Sequence, residues 1–390
     1  MFTRWIDLST DKSVLLLGPR RSGKTTLLKR RFPDYEYATL DDLDNLDWAR
    51  SDPKGFVQSL GKQAIIDEIQ RHPLLTVAVK YAIDEENARF LMTGSSSAGL
   101  LDASADSLAG RITIRSLTTA CWGEDAGPPT HRVFEERVPL KQLKQAQRQL
   151  ADAMQYGQFP EVLNATSVED KIEVLRNYRD TYFTRDLMML ANLENLDGLM
   201  VLYHHLSRSI GSLLESSSLA REAGISFPTA KKYLNSLMQS QLAFKLTGYQ
   251  YGPAKRYVKA AKIYLADIGI ATAFGTPLAP GQRLENFVIA ELEKRRKLGL
   301  IRTDSLQHYR TGAGREIDVI IDSGKTTMAI EIKSTEVPSR RDLRNLEDFA
   351  ATTDRPIRCI LFYAGIDYKT IGNVDLIPVA ALYRGAMDDG

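Results

Sequence analysis

The chain has 390 residues, room for two or three domains that each bury a core. Its 51 Lys and Arg nearly balance 49 Asp and Glu, so the whole surface offers no basic field for nucleic acid, and any such surface has to be local. Two distant cysteines exclude a disulfide framework, the five histidines do not join them at zinc spacing, and neither a signal-peptide start nor a run near the ~20 apolar residues of a membrane span occurs, so a cytoplasmic protein is expected.

Up to about residue 120, short apolar strands at 14–17, 35–39, 64–66, 90–92 and 112–114 alternate with helical stretches, which predicts a parallel α/β sheet with crossover helices. The first strand runs into Gly18, Pro19, Arg20, Arg21, Ser22, Gly23, Lys24 and Thr25, a match to GxxxxGK[ST], and Thr26, Leu27, Leu28 and Lys29 continue as helix formers. Backbone N–H groups of such a loop converge on phosphate oxygens, and the helix start adds its positive end. Lys24 then reaches the β- and γ-phosphates and the Thr25 hydroxyl holds Mg²⁺. ATP with Mg²⁺ is the expected ligand, cradled by residues 18–26.

Ala64, Ile65 and Ile66 deliver Asp67 to the carboxyl edge of the sheet, where open α/β sheets place their ligands. Asp67 is expected to hold Mg²⁺ through water, and Glu68 to orient or deprotonate the attacking water. Thr93, with Ser95 behind it, ends a further apolar strand. Its hydroxyl either touches the γ-phosphate or the water, or caps the following turn. Arg111 precedes the next strand and is either an arginine finger offered to a neighbouring subunit or a surface arginine.

A Gly/Pro-rich break at 121–132 leads into a mostly helical region. Residues 216–249 have a helix-turn-helix cadence, with Ser218 predicted to cap a short helix, Gly224 the turn and a second helix from about Pro228. Leu234 and Leu237 face inward; Thr229, Lys231, Lys232 and Asn235 face outward. The next stretch reads as a wing hairpin with basic Lys255, Arg256 and Lys259. Lys231, Lys232, Lys255 and Arg256 can neutralise DNA phosphates, the alternative being a module used only for packing. Tyr249, Tyr251 and Tyr257 support the wing or stack bases. A helix at 284–297 opens the last part, followed by strands at 318–321, 328–332 and 360–363. Alternation puts Glu331 and Lys333 on one strand face, with Asp318 on the strand before.

The order of phosphate loop, hhhhDE, polar strand end and LAGR resembles AAA+ ATPases, specifically the bacterial and archaeal family whose C-terminal region is catalogued as the DUF4143 domain. QYGQFPEVL, NYRDTYFTRDL, KIYLADIGIATAF, LENFVIAEL and YRTGAGREIDVII with AIEIKS extend the resemblance over nearly the whole chain. Asp318, Glu331 and Lys333 further resemble the PD-(D/E)xK restriction-endonuclease-like fold, with Glu285 matching an extra acid that some members supply. Ile317 stands where the name-giving proline would be. That resemblance implies a metal ion among Glu285, Asp318 and Glu331, assisted by Lys333; the alternative is that Lys333 pairs with the acids and no metal enters.

The expected fold class is therefore α/β: an AAA+ P-loop sheet, a helical and winged-helix region, and a C-terminal α/β restriction-endonuclease-like domain, with boundaries at 1–125, 126–205, 206–275 and 276–390. The leading functional expectation is a Mg²⁺-dependent ATPase acting on duplex or branched DNA as a ring, a hexamer, with no membrane partner. A structure-specific nuclease gated by ATP and a nucleotide switch that recruits a protein are the alternatives.

Overall fold

The structure is a computed structural model that describes residues 2–95, 108–183, 196–250, 260–324, 326–352 and 355–386. They divide into two compact units, one of residues 4–119 with 236–241, the other of residues 120–235 and the chain from 242 on.

In the first unit β1 (Ser13–Leu17), β2 (Glu36–Thr39), β3 (Gln63–Asp67), β4 (Arg89–Gly94) and β5 (Ile112–Ser116) form one sheet in the order β2-β3-β4-β1-β5. Every pairing is parallel. Each strand lies within a residue or two of its expected position. Parallel strands covered on both faces need apolar side chains on both, and SVLLL in β1 is buried throughout. Local signals set the helix starts. Asp42 accepts from Asn45 N to cap Leu43–Ser51, and Asp52 accepts from Gly55 N ahead of Pro53 in the next helix. The Leu75–Glu86 helix buries Leu75, Val79 and Ala82 in the same core as Phe90 and Met92. It ends at Asn87, in left-handed conformation. Because β1, β3 and β4 run the same way, Gly18, Asp67 and Thr93 all emerge at one sheet edge.

The second unit has helices at Leu140–Tyr156, Val168–Asn177 and Leu196–Arg208, then the pair Ser216–Glu222 and Phe227–Gln239. Strands follow as β7 (Ala243–Gly248), β8 (Lys262–Leu265), β9 (Gln307–Arg310), β10 (Glu316–Asp322), β11 (Thr327–Lys333), β12 (Ile357–Tyr363), β13 (Lys369–Ile371) and β14 (Val374–Pro378), while β6 (His131–Arg132) pairs separately with β15 (Gly385–Ala386). The strands from β7 to β14 make a single sheet of eight in the order β13-β14-β12-β11-β10-β9-β7-β8. The β7–β8 hairpin expected as a wing is therefore continuous with the C-terminal sheet, through parallel pairing of Thr247 with Gln307 and Gly248 with His308. Ile317, Ile320, Ala329, Leu361 and Leu376 form its core with Leu343, Leu346 and Phe349 of the Arg340–Ala350 helix.

One expected cap is corrected. Ser218 lies inside the Ser216–Glu222 helix, one turn too late to cap it, and its hydroxyl donates to Glu222 instead. No described helix is long and apolar enough to cross a membrane.

Candidate functional site

The phosphate loop is shaped by backbone as much as by side chains. Gly18 packs so tightly that a Cβ there would stand 2.0 Å from the Leu117 carbonyl oxygen, which only glycine allows. Arg21 and Gly23 take left-handed φ values of 61° and 88°, the kind of alternation that turns successive N–H groups towards one point. The helix Lys24–Arg31 begins directly after Gly23. Lys24 is buried, and its Nζ donates to the carbonyls of Gly18 at 2.9 Å and Pro19 at 3.1 Å, so the ammonium lies within the loop. The Ser22 hydroxyl is buried without a hydrogen-bond partner among the described residues, an acceptor or donor left for a ligand.

Asp67 and its neighbours close the site from the adjoining strands. Thr25 Oγ1 donates to Asp67 Oδ1 at 2.7 Å, Thr93 Oγ1 donates to the same oxygen at 2.5 Å, and Tyr37 OH donates to Oδ2 at 3.1 Å. A divalent ion bound with phosphate needs hard oxygen ligands, and Thr25 beside Asp67 supplies them; the residues fit Mg²⁺. Thr93 also accepts from Glu68 N at 3.1 Å, so its hydroxyl ties the two acidic residues together. Glu68 has a left-handed φ of 59°, and Gln70 Nε2 donates to its carboxylate and to Ser95 Oγ at 3.0 Å. A bulky residue held in that conformation marks a position that the surroundings over-determine.

Arg4 was invisible to motif reading. Its buried guanidinium donates to Ser22 O at 2.6 Å and to Thr118 O at 2.9 Å, bracing the phosphate loop from behind. A lone arginine near a chain start carries no sequence signal. Arg111 lies at the opposite edge of the sheet from the loop, since Ile112 pairs with Ser13 at the start of β1. Its Nε pairs with Asp84 at 2.5 Å.

On the Phe227–Gln239 helix Leu234 and Leu237 are buried, and Lys231, Lys232 and Asn235 are exposed, as the periodicity requires. Lys245 of β7 joins them. Burial first, and then the charge of Lys231, hold its ammonium below the usual lysine range. Lys255, Arg256, Lys259, Tyr251 and Tyr257 lie outside the described residues. Tyr249 donates to Asp322 at 3.0 Å and packs edge-on against Phe349, a supporting role.

Glu285, Asp318, Glu331 and Lys333 do come together, and three residues that the sequence did not single out join them. Lys262 of β8, 1% exposed, pairs with Glu316 and lies 3.8 Å from Glu285 Oε1. Tyr264 OH donates to Glu285 Oε1 at 2.7 Å, Lys333 Nζ donates to Glu331 Oε2 at 2.6 Å, and Asp318 Oδ2 accepts from Ile332 N at 2.9 Å. Among the described residues no three His, Cys, Asp or Glu side chains gather so as to hold a metal ion. The carboxylates lie among two lysines, a phenol and a backbone N–H, with Lys333 paired to Glu331.

Burial and then the charge of Asp318 push the Glu285 carboxyl up to about 7 and the Glu331 carboxyl up to about 8. A carboxyl raised in the folded state contributes stability that is full below its unfolded value of 4.5 and is lost as pH rises through the folded value. The wild type should therefore lose melting temperature between about pH 5 and pH 8, and Glu331→Gln should flatten that loss. Equal slopes for the two proteins in a pH series of thermal melts would contradict the assignment.

Comparison with known proteins meets the same regions. The description "AAA domain" matches residues 10–124, and domains of unknown function, DUF8612 and DUF4143, match 147–279 and 280–382. An uncharacterised protein of Mycobacterium tuberculosis is 28% identical over 347 residues, covering 84% of this chain and 71% of its own. An uncharacterised protein of Methanocaldococcus jannaschii is 24% identical over 358 residues, 88% of this chain and 79% of its own. A Pyrococcus horikoshii signal-transduction ATPase with numerous domains and a tetratricopeptide repeat sensor aligns at 13% identity and a TM-score of 0.23, covering 76% of this chain, which spans 46% of that one. The AAA-domain and DUF4143 models fall on the N-terminal and C-terminal regions that the motifs mark out, with the DUF8612 model between them.

Proposed function

We propose that the protein is a Mg²⁺-dependent ATPase that acts on DNA as a ring of like subunits. The observation that carries the ATPase reading is the convergence of Lys24, Thr25, Asp67 and Thr93 at one edge of a parallel sheet, directly behind a glycine-shaped phosphate loop. Lys24 supports the charge of the β- and γ-phosphates, and the loop N–H groups orient them. Glu68 takes the proton of, or orients, the attacking water. Thr93 and Thr25 keep the Asp67 carboxylate turned to the loop. Bound Mg²⁺ supplies charge neutralisation on the phosphate oxygens.

The ring reading is supported by Arg111. Four strand steps separate Ser13 from Leu17 in β1, roughly 13 Å at ~3.3 Å per residue, so Arg111 is out of reach of its own loop; as a finger it would serve a neighbour's nucleotide, and otherwise it is a surface arginine paired with Asp84. Leu74, Val77 and Tyr81 stand 68%, 58% and 44% exposed on the helix stripe that leads to Asp84, the residue Arg111 pairs with. An uncovered apolar stripe continuous with the finger suits a second copy of the chain.

The DNA reading is supported by Lys231 and Lys232 on the exposed helix face and Lys245 beside them. Neutralising Lys231, Lys232, Lys255 and Arg256 together should weaken binding to duplex, single-stranded and four-way-junction DNA alike, and the log–log salt slope should become shallower by about 0.9 per lost phosphate contact. ATP turnover of the wild type should rise with the DNA that binds best. Tight binding with an unchanged salt slope would move the contact elsewhere, and turnover indifferent to all three DNAs would favour the nucleotide switch that recruits a protein.

A further inference from the structure

The ring of Tyr37 closes a circuit around the acidic end of the nucleotide site. Tyr37 stands on β2, and its hydroxyl reaches past its pairing partner Ile65 to donate to Asp67 Oδ2 at 3.1 Å. Lys29 Nζ sits 3.2 Å from the centroid of the Tyr37 ring. Lys29 is one helical turn beyond Thr25, on the same helix face, and Thr25 bonds the other Asp67 oxygen at 2.7 Å. Both carboxylate oxygens of Asp67 are thereby fixed, one by Thr25 and Thr93, the other by a tyrosine clamped from above by a lysine.

We propose that Tyr37 is a positioning residue of the Mg²⁺ site: it fixes the plane of the Asp67 carboxylate and so sets how much Mg²⁺ strengthens nucleotide binding. This role rests on the ATPase reading of the same site. A carboxylate free to rotate about its last bond offers its oxygens to a metal only part of the time. A hydrogen bond to one oxygen, backed by packing on the ring, removes that freedom before the ion arrives.

The test is the affinity of a slowly hydrolysed fluorescent ATP analogue, measured in Mg²⁺ and again in EDTA, for wild type, Tyr37→Phe and Asp67→Asn. Phenylalanine keeps the ring and its contact with Lys29 and removes only the hydroxyl. Affinity in EDTA should stay within about twofold of wild type, while the gain conferred by Mg²⁺ should fall about five- to tenfold, the worth of one ordinary hydrogen bond. Asp67→Asn should lose most of the gain. A wild type that gains from Mg²⁺ and a Tyr37→Phe that gains equally would overturn the positioning role alone. A wild type that gains nothing would overturn the ATPase reading together with it.

Discussion

Lys24→Ala should abolish measurable nucleotide binding, a loss of at least about 10²-fold in affinity as expected when a charged hydrogen bond and its fixed geometry go together. Lys24 is 5% exposed, and its ammonium already lies within the loop, on the carbonyls of Gly18 and Pro19. The buried space left by the lysine stem also releases the loop that Gly18 packs against Leu117. Titration calorimetry with Mg²⁺–ATP on wild type and variant reads the effect directly, and circular dichroism confirms that the variant is folded. Affinity within threefold of wild type would mean that phosphate is held somewhere other than residues 18–26.

The second large effect concerns stability and not nucleotide. On the Pro280–Lys297 helix, Glu291 and Arg295 are fully buried and Lys294 is 4% exposed. Glu291 accepts from Lys294 at 3.0 Å, from Arg295 and from Trp122 N at 2.8 Å; Lys294 also reaches Ala120 O at 3.0 Å and Asp267 at 3.4 Å. Burial alone would push the Glu291 carboxyl up, but Lys294 and Arg295 outweigh it and hold the group below the usual carboxylate range. Glu291→Ala removes the carboxylate shared by two buried cations and the acceptor of the Trp122 N–H, leaving Lys294 with Ala120 O and Asp267 and Arg295 with the carbonyls of Leu382 and Gly385. It should cost about 3–5 kcal/mol, the range for breaking a buried pair from one side. For a unit of this size that is a fall of roughly 10 °C in melting temperature. Nucleotide affinity should persist in the folded variant. A fall below about 1 kcal/mol would show that other groups or water satisfy Lys294 and Arg295.

The contrast between these two predictions marks what sequence could and could not reveal. The phosphate loop was legible because its chemistry is local: two glycines, a lysine and a threonine at fixed spacing, between an apolar strand and a helix. Asp67, Glu68 and Thr93 were legible because a parallel sheet puts strand ends on one edge. Tyr37 and Arg4 were not, because each acts across the fold from an element with no motif of its own. Lys294, Arg295, Arg296 and Lys297 look in sequence like a solvated charged helix end, yet two of them are buried in an ion network that only tertiary packing assembles. Lys262 was hidden for the same reason, on a hairpin assigned to a wing whose strand joins β9 of the C-terminal sheet. Strand order within a large mixed sheet depends on pairing between segments distant in sequence, and no local pattern records it.

The most direct measurement is phosphate release under saturating Mg²⁺–ATP by wild type and Glu68→Gln, with ATP affinity measured alongside. Glu68 emerges in a left-handed conformation beside Asp67, its N–H held by Thr93 and its carboxylate by Gln70. Glutamine keeps that shape and removes the basic oxygen. Wild type should release phosphate only with Mg²⁺ present, and Glu68→Gln should bind ATP about as tightly while turning it over at least about 10²-fold more slowly. Equal turnover by the two proteins would contradict the assignment of Glu68 and with it the catalytic site described here.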